Sequence, residues 1–225
     1  MSQNGIHAMV GIASRKWMPK REWLMLGIVL GNMFPDLDNL VVAYATLTGG
    51  DKHGLHRTFT HSVFTILAVL IVFYLIGVIS KKPKWNNLGL GLGIGILMHI
   101  LVDLAVWFNG VELLWPLGGE VNFWSGVVVP DWLSIILDTG EFLTFGLYFL
   151  LLVNLSQKNK TDAGQRGVAR TWAYIEFFLF IVFTVLFFSI GAKGLPYTIF
   201  GALYLVSLIV GMVLTTRMRN TIEAV

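Results

Sequence analysis

The sequence predicts an all-α, polytopic membrane protein: a helical bundle of about five to six transmembrane helices in which the first span is broken. Of the 225 residues, 56% are hydrophobic and 13% are charged. The charged share is roughly half of that in a soluble domain, and the mean hydropathy is +0.73. We expect one integral membrane domain over residues 1–225, with the polar motifs in 5–117 and a helical remainder in 118–225.

The apolar residues fall into segments that follow one another along the whole chain. Each segment is close to the ~20 residues that a helix needs to cross a bilayer. Pro35 interrupts the first segment, because proline removes a backbone donor and disfavours helix at Phe34. Residues 6–17, ahead of this span, suit a short amphipathic or half-inserted helix. The six segments lie at about 24–47, 62–80, 88–108, 132–154, 172–192 and 196–215.

Glycines alternate along residues 89–95, a pattern that superficially resembles a nucleotide-binding loop. No strand is predicted before them, and the spacing departs from G-x-G-x-x-G, so a nucleotide site is not expected. Gly91 and Gly95 are four residues apart on a predicted membrane helix. This spacing predicts that another helix packs closely against them.

The basic residues predict the orientation of the spans. All but three of the 16 Lys and Arg residues lie in loops on one side of the predicted membrane. The positive-inside rule places that side, with both termini, in the cytoplasm. This distribution is typical of a topology signal, so we expect no nucleic-acid partner despite the net charge of +3. The exceptions are Lys52, Arg57 and Lys193.

The candidate site residues are histidines and aspartates in or beside the apolar segments. Ionisable groups within a membrane are costly and usually face a protein interior or a functional site. Because the chain has no cysteine, a metal would be bound by imidazole and carboxylate, which favours zinc, with manganese, iron or magnesium as alternatives. We expect one or two ions. The predicted ligands are His7, Asp36, Asp38, His56, His61, His99 and Asp103.

His99 and Asp103 are four residues apart, so they stack on one helical face. They can bind one metal together, or form a buried hydrogen bond that stabilises the bundle. His56 and His61 would diverge by about 140° on a continuous helix. To bind together, His56 must lie in a loop and His61 in the first helical turn, with Thr58 or Thr60 as N-cap.

Asp36 and Asp38 cannot share a helical face, but an extended or turn geometry at Pro35 would bring them together. An Asx-type turn explains one of the two acids without a metal. His7 is a lone histidine that suits a structural role as well as a ligand role.

From the rise of 1.5 Å per residue, Asp36 lies about 18 Å and His99 about 17 Å above the cytoplasmic ends of their spans. We therefore expect the site in the outer half of the bilayer.

Three residues are candidates for catalysis beside a metal. Arg57 would neutralise an anionic group such as phosphate, or would anchor a lipid head group. Glu141, whose predicted depth matches that of the site, would act as general base. Asp38 would take the same role if it is not a ligand.

Five segments in their order along the chain resemble the motifs of a known family. The sequence resembles the LexA-binding, inner-membrane predicted metal-dependent hydrolases, the YdjM-like family, over about residues 5–117. This resemblance implies a bacterial or archaeal inner-membrane protein and a hydrolytic metal centre. The segments are Gly5-Ile6-His7, Pro35-Asp36-Leu37-Asp38, Gly54 to Ser62, His99-Ile100-Leu101-Val102-Asp103 and Gly110 to Pro116.

A looser similarity links the chain to zinc-dependent phospholipase C. The order of aspartate, histidine and an H-x-x-x-D helix is similar, and Glu141 would match a later glutamate of those enzymes. Two features depart from the patterns: Val106 stands where YdjM-like proteins often carry threonine, and the second H-x-x-x-E helix of the phospholipases is absent. A three-zinc site is therefore not expected.

Together these patterns predict a membrane-embedded, metal-dependent hydrolase that acts on a lipid-like ester or phosphoester near the outer leaflet. Its expected partners are the lipid bilayer and a membrane-lipid substrate. The main alternative is a cation- or proton-coupled transport protein, because discontinuous helices often mark transporter sites. A structural membrane protein with a regulatory partner is a third possibility.

Overall fold

The computed structural model describes residues 3–225, which form nine α-helices and no β-strand. Short 3-10 helices at Ser14–Trp17, Pro35–Asp38, Phe59–His61 and Ala163–Gln165 separate some of them. This architecture confirms the predicted all-α class. The helices are α1 (Asn4–Ala13), α2 (Leu24–Gly31), α3 (Asn39–Thr48), α4 (Val63–Ser80), α5 (Pro83–Val106), α6 (Asp131–Asn159), α7 (Arg166–Ile190), α8 (Gly194–Arg217) and α9 (Arg219–Glu223).

Five of the described helices are long and apolar enough to cross a membrane: α4, α5, α6, α7 with the turn before it, and α8. The helices α2 and α3 form a sixth candidate, bent by 46° at the Pro35 region. The broken first span is thus confirmed. Helices α5 and α7 begin at Pro83 and Arg166, several residues before the predicted segments. Hydropathy detects only the apolar part of a helix and misses its polar first turns.

The break in the first span differs in one respect from expectation. Phe34, predicted to be non-helical, has helical angles of φ −60° and ψ −43°. Its N–H donates to the Leu30 carbonyl, so helical turns continue beyond the end of α2 and lead directly into the 3-10 helix Pro35–Asp38. Proline is tolerated there because the first residue of a helix needs no backbone donor.

The chain folds into two compact units. The motif unit comprises His7–Val127 and Ile222–Val225, and the helical unit comprises Val128–Thr221 and the N-terminal residues up to Ile6. The helical unit has a core of four phenylalanines on α6, α7 and α8, at positions 142, 183, 187 and 200. The expectation of one domain over 1–225 stays a prediction.

In the motif unit, α5 packs against both α2 and α4. Gly91 and Gly95 of α5 face α2, and a Cβ at either position would overlap a backbone carbonyl oxygen, that of Leu24 or Ile28. The glycines of α2 at positions 27 and 31 meet α5 in the same way. The close helix packing predicted from the glycine spacing is therefore confirmed, and it brings the end of α2 near the middle of α5.

The long loop after α5 is tied to the start of α4. Ser62 caps α4 by accepting a hydrogen bond from the Phe64 N–H, and its hydroxyl donates to the carbonyls of Leu113 and Trp115. The expectation that Thr58 or Thr60 would cap this helix was wrong. A 3-10 helix over Phe59–His61 displaces the start of α4, and Ser62 is the residue with extended angles before it.

Candidate metal centre

All seven predicted metal ligands lie in the motif unit, on five separate segments. His7 is on α1, His56 is in a loop, and His61 ends the 3-10 helix before α4. Asp36 and Asp38 lie in the 3-10 helix at the break of the first span, and His99 and Asp103 on α5. Three overlapping groups have ligand atoms within 4.8 Å of one another. These groups are His7/His99/Asp103, Asp36/His61/His99 and Asp36/Asp38/His56.

Four side chains form the centre of this cluster. Asp36 Oδ1 lies 3.8 Å from both His61 Nε2 and His99 Nε2. Asp103 Oδ2 lies 3.7 Å from His61 Nε2 and 3.6 Å from His99 Nε2. These separations are too long for hydrogen bonds. They are close to the roughly 3.4 Å between two ligand atoms of a tetrahedral zinc ion with ordinary bond lengths.

The polar atoms at this centre lack the hydrogen bonds that burial demands. His61, His99 and Asp103 are each 0% exposed. Among the described residues, neither Nε2 atom has a hydrogen-bond partner, and the Asp103 oxygens have close contacts to His7 and Arg57 but no hydrogen bond. Buried polar atoms normally have a hydrogen-bond partner. A group of buried polar atoms without one, all close to a single point, therefore indicates a binding site for an ion or a water molecule. A metal cation between them would satisfy all three side chains.

Hydrogen bonds from the other ring nitrogens fix the tautomers of two histidines. His99 Nδ1 lies 2.7 Å from the Asn32 carbonyl oxygen, which can only accept, so Nδ1 carries the proton. Thr60 donates its hydroxyl proton to Asp38 Oδ2 at 2.9 Å, so its oxygen accepts from His61 Nδ1 at 3.0 Å. In the neutral form of both rings, the Nε2 lone pair is therefore left for a metal, an arrangement typical of metal-binding histidines.

The sequence did not reveal the part that Thr60 plays in this arrangement. Its position beside His61 drew attention only as a possible helix cap. The hydroxyl instead connects Asp38 to the imidazole of His61. The only sequence signal was its place inside the segment between His56 and Ser62.

Asp38 accepts hydrogen bonds from several groups of the segment around His56. Its Oδ1 lies 2.7 Å from His56 Nδ1, which must donate because a carboxylate accepts. Its Oδ2 accepts from the Arg57 backbone N–H at 3.0 Å and from Thr60. Asp38 is 1% exposed. These contacts place a proton on His56 Nδ1 and fix the orientation of the ring, as in a histidine–carboxylate dyad.

His7 reaches the cluster from α1. Its Nε2 lies 3.1 Å from Asp103 Oδ1, and its ring stacks on that of His99 with centroids 3.9 Å apart. Burial lowers the pKa of His7 to about 4. Burial also lowers the pKa of His61 below its ordinary value. Both imidazoles are therefore neutral at pH 7, which is the form that binds a metal.

Arg57 is buried, with 5% of its surface exposed. One guanidinium nitrogen lies 3.2 Å from Asp103 Oδ2, and another donates to the Asn109 carbonyl at 2.8 Å. The residue adopts a left-handed backbone with φ +62°. Such conformations are costly for residues other than glycine and persist where the surroundings hold them.

The charges in this buried cluster do not balance when its histidines are neutral, which is the form that binds a metal. Three carboxylates, those of Asp36, Asp38 and Asp103, then share one guanidinium, that of Arg57. An unbalanced negative charge in a low-dielectric interior costs several kcal/mol or more. A divalent cation would supply the two positive charges that the cluster lacks, so the donor set fits a metal in both geometry and charge.

Glu141, the predicted general base, belongs to the helical unit. Its Oε1 accepts a hydrogen bond from the Asn4 backbone N–H at 2.9 Å. None of the three ligand groups among residues 3–225 includes it. Its catalytic role stays a prediction.

The sequence model of the YdjM inner membrane protein family matches residues 3–193. The chain belongs to this family. The match, together with the apolar helices, makes it a multi-pass inner-membrane protein. Every candidate ligand of the cluster lies within the part that matches the YdjM family. No curated protein and no solved structure matches the chain.

Proposed function

We propose that this YdjM family member is a metal-dependent hydrolase that acts on a lipid-like ester or phosphoester. The observation that carries the proposal is the group of four ligand atoms on Asp36, His61, His99 and Asp103, with neighbouring atoms 3.6–3.8 Å apart. Two imidazoles and two carboxylates form a ligand set suited to zinc. When bound, such an ion would acidify a water molecule and polarise the scissile ester.

His56 is the general base in this proposal. Its Nδ1 proton is held by Asp38 at 2.7 Å, which leaves Nε2 as the basic nitrogen. The side chain is 28% exposed, whereas those of His61 and His99 are fully buried. His56 would accept a proton from the attacking water, and Asp38 would stabilise the imidazolium that results. Asp38 is then a positioning residue.

Arg57 has the geometry to stabilise negative charge that develops on the substrate. Its guanidinium contacts Asp103 of the proposed centre and also borders a cavity open to the surroundings. A fixed, buried guanidinium stabilises an oxyanion more strongly than one in water. A lipid-like substrate suits a site carried by an inner-membrane protein. With the termini in the cytoplasm, as the basic loops indicate, this site would lie in the outer half of the bilayer.

Hydrolysis of lipid phosphoesters tests the proposal. Purified protein in mixed phospholipid vesicles would be loaded with zinc, and products would be followed by phosphorus NMR. We expect turnover that a chelator abolishes, zinc restores and Asp36→Asn removes. Asp51→Asn, a change at an exposed aspartate of the following loop, is the control and should keep full activity. Turnover that is absent, or indifferent to the chelator and to Asp36→Asn, would contradict the proposal.

The broken first span favours a second candidate, cation- or proton-coupled transport through the same cluster. The 46° bend between α2 and α3 places Asp36 and Asp38 at a helix interruption, a common feature of transporter sites. Proton flux into proteoliposomes loaded with a pH-sensitive dye would distinguish transport from hydrolysis. Cation-driven proton flux that Asp36→Asn abolishes, without lipid hydrolysis, would support transport instead.

A further inference from the structure

A cavity of about 340 Å³ lies next to the proposed metal centre in the motif unit. Two residues belong to both: His56, with its hydrogen bond to Asp38, and Arg57, with its contact to Asp103. The remaining walls come from the loop before the 3-10 helix at Phe59 and from the long loop after α5. Residues at the cavity wall include His53, Glu112, Glu120 and Asn122.

One wall of the cavity carries the buried Arg57. Arg57 is 95% buried, and its Nε has no hydrogen-bond partner among residues 3–225. Its two terminal nitrogens are already engaged by Asp103 and by the Asn109 carbonyl. Asn109 and Arg57 both line the cavity, so the guanidinium that joins them lies at its edge. An anionic oxygen in the cavity would interact with this positive charge.

Other walls of the cavity are acidic. Within the described part of the chain, neither the Glu112 nor the Glu120 side chain forms an ion pair or a hydrogen bond. The backbone holds Glu112 in place, since its N–H donates to the Arg57 carbonyl at 3.0 Å. The cavity thus combines a guanidinium donor with two carboxylates that lack a cation.

The same loop presents an apolar rim. Between Glu112 and Asn122, and just beyond, the side chains of Trp115, Leu117 and Phe123 are exposed, Leu117 by 76% and Phe123 by 69%. The ring of Phe59 lies against Trp115, with centroids 6.1 Å apart. Exposed aromatic and aliphatic side chains beside polar ones are typical of the membrane–water interface.

We propose that this cavity binds the head group of an amphipathic phosphoester that carries a primary amine. The phosphate contacts Arg57 and faces His56, the ammonium group contacts Glu112 and Glu120, and the acyl chains lie along the apolar rim. The assignment of the phosphate end as the reacting end rests on the proposed function. Recognition of the ammonium group does not, because it depends on the two carboxylates alone.

The test is binding of soluble head-group probes to full-length protein in detergent, measured by calorimetry. Phosphoethanolamine should bind about tenfold more tightly than glycerol phosphate or inorganic phosphate, since two partly exposed ion pairs each contribute modestly. The double variant Glu112→Gln/Glu120→Gln should lose this preference and keep the affinity for phosphate. Glu22→Gln, at an exposed glutamate outside the cavity, is the matched control.

Metal content and thermal unfolding of each variant separate this inference from the proposed function. A preference for phosphoethanolamine that the double variant removes supports the head-group site, even if the wild type binds no metal. Equal affinities for the three probes in wild type would overturn the inference. So would a preference that persists in the double variant. Loss of phosphate binding in Arg57→Lys, with unfolding temperature unchanged, would support the phosphate end.

Discussion

His99 and Asp103 lie one turn apart on α5, and their atoms Nε2 and Oδ2 are 3.6 Å apart without a hydrogen bond between them. The Nδ1 proton of His99 is held by the Asn32 carbonyl, so Nε2 is the nitrogen that faces the carboxylate. A metal ion held between the two atoms would bind both of them. This pair is therefore well placed to supply two ligands to a metal in the motif unit.

Replacing Asp103 by asparagine should remove the metal and destabilise the protein. The carboxylate is buried against Arg57 at 3.2 Å, and its loss leaves the guanidinium without its counter-charge. Breaking a buried pair in this way costs about 3–5 kcal/mol. Elemental mass spectrometry and thermal unfolding in detergent measure the two effects. Asp131→Asn, at an exposed position, should change neither, and a stable Asp103→Asn protein with full metal content would refute the assignment.

Thr60 should tune the affinity for the metal without being a ligand. Thr60→Val removes the hydroxyl that lies between Asp38 and His61. This hydroxyl fixes the tautomer of the His61 imidazole. Outer contacts of this kind typically contribute about 10–100-fold to metal affinity. Competition with a zinc indicator would measure the loss, and Thr60→Ser should restore most of it. Thr58→Val, which removes a hydroxyl bound only to the Gly54 carbonyl, should leave the affinity unchanged.

His56→Gln should separate catalysis from metal binding. The proposed general base contributes about 10²–10⁴-fold to the rate, whereas the four central ligands are intact in this variant. We expect the hydrolytic rate to fall by that factor while the metal content is retained. Glu22→Gln, at an exposed glutamate outside the cavity, is the control and should keep its activity. A His56→Gln protein that loses its metal would instead make His56 a ligand.

Gly91→Ala should disturb the centre from a distance. A Cβ at this position would overlap the Leu24 carbonyl oxygen on α2, so the two helices must separate. Overpacking of this kind costs about 1–3 kcal/mol. Because α2 leads directly to Asp36, metal affinity should fall together with the unfolding temperature. Gly201→Ala, on a helix face with no heavy atom within 4 Å of the new Cβ, should affect neither property.

The sequence predicted those features that depend on local pattern. Hydropathy placed the spans, Pro35 placed the break, and the spacing of Gly91 and Gly95 predicted a close helix contact. The H-x-x-x-D spacing of His99 and Asp103 predicted that they share a face. Each of these inferences uses residues within about one helical turn or one hydrophobic segment, where backbone periodicity determines the geometry.

Features that depend on distant contacts could not be predicted in this way. The burial of Arg57 arises from Asp103, 46 positions later in the chain, and the cavity acids Glu112 and Glu120 lie in an irregular loop without periodicity. The hydrogen bonds of Asp38 depend on the fold of the segment around His56. Hydropathy and spacing carry no information about such pairings. The sequence therefore could not distinguish a buried carboxylate that is hydrogen-bonded within the protein from one that binds a metal.

Metal stoichiometry of the purified protein tests the central claim most directly. Wild type, His61→Ala and the matched His53→Ala would be loaded with zinc, washed and measured by elemental mass spectrometry. We predict at least one equivalent of zinc per chain in wild type and His53→Ala, and none in His61→Ala. Wild-type protein that retains no metal after loading, or a His61→Ala protein that retains as much as wild type, would contradict a metal centre formed by Asp36, His61, His99 and Asp103.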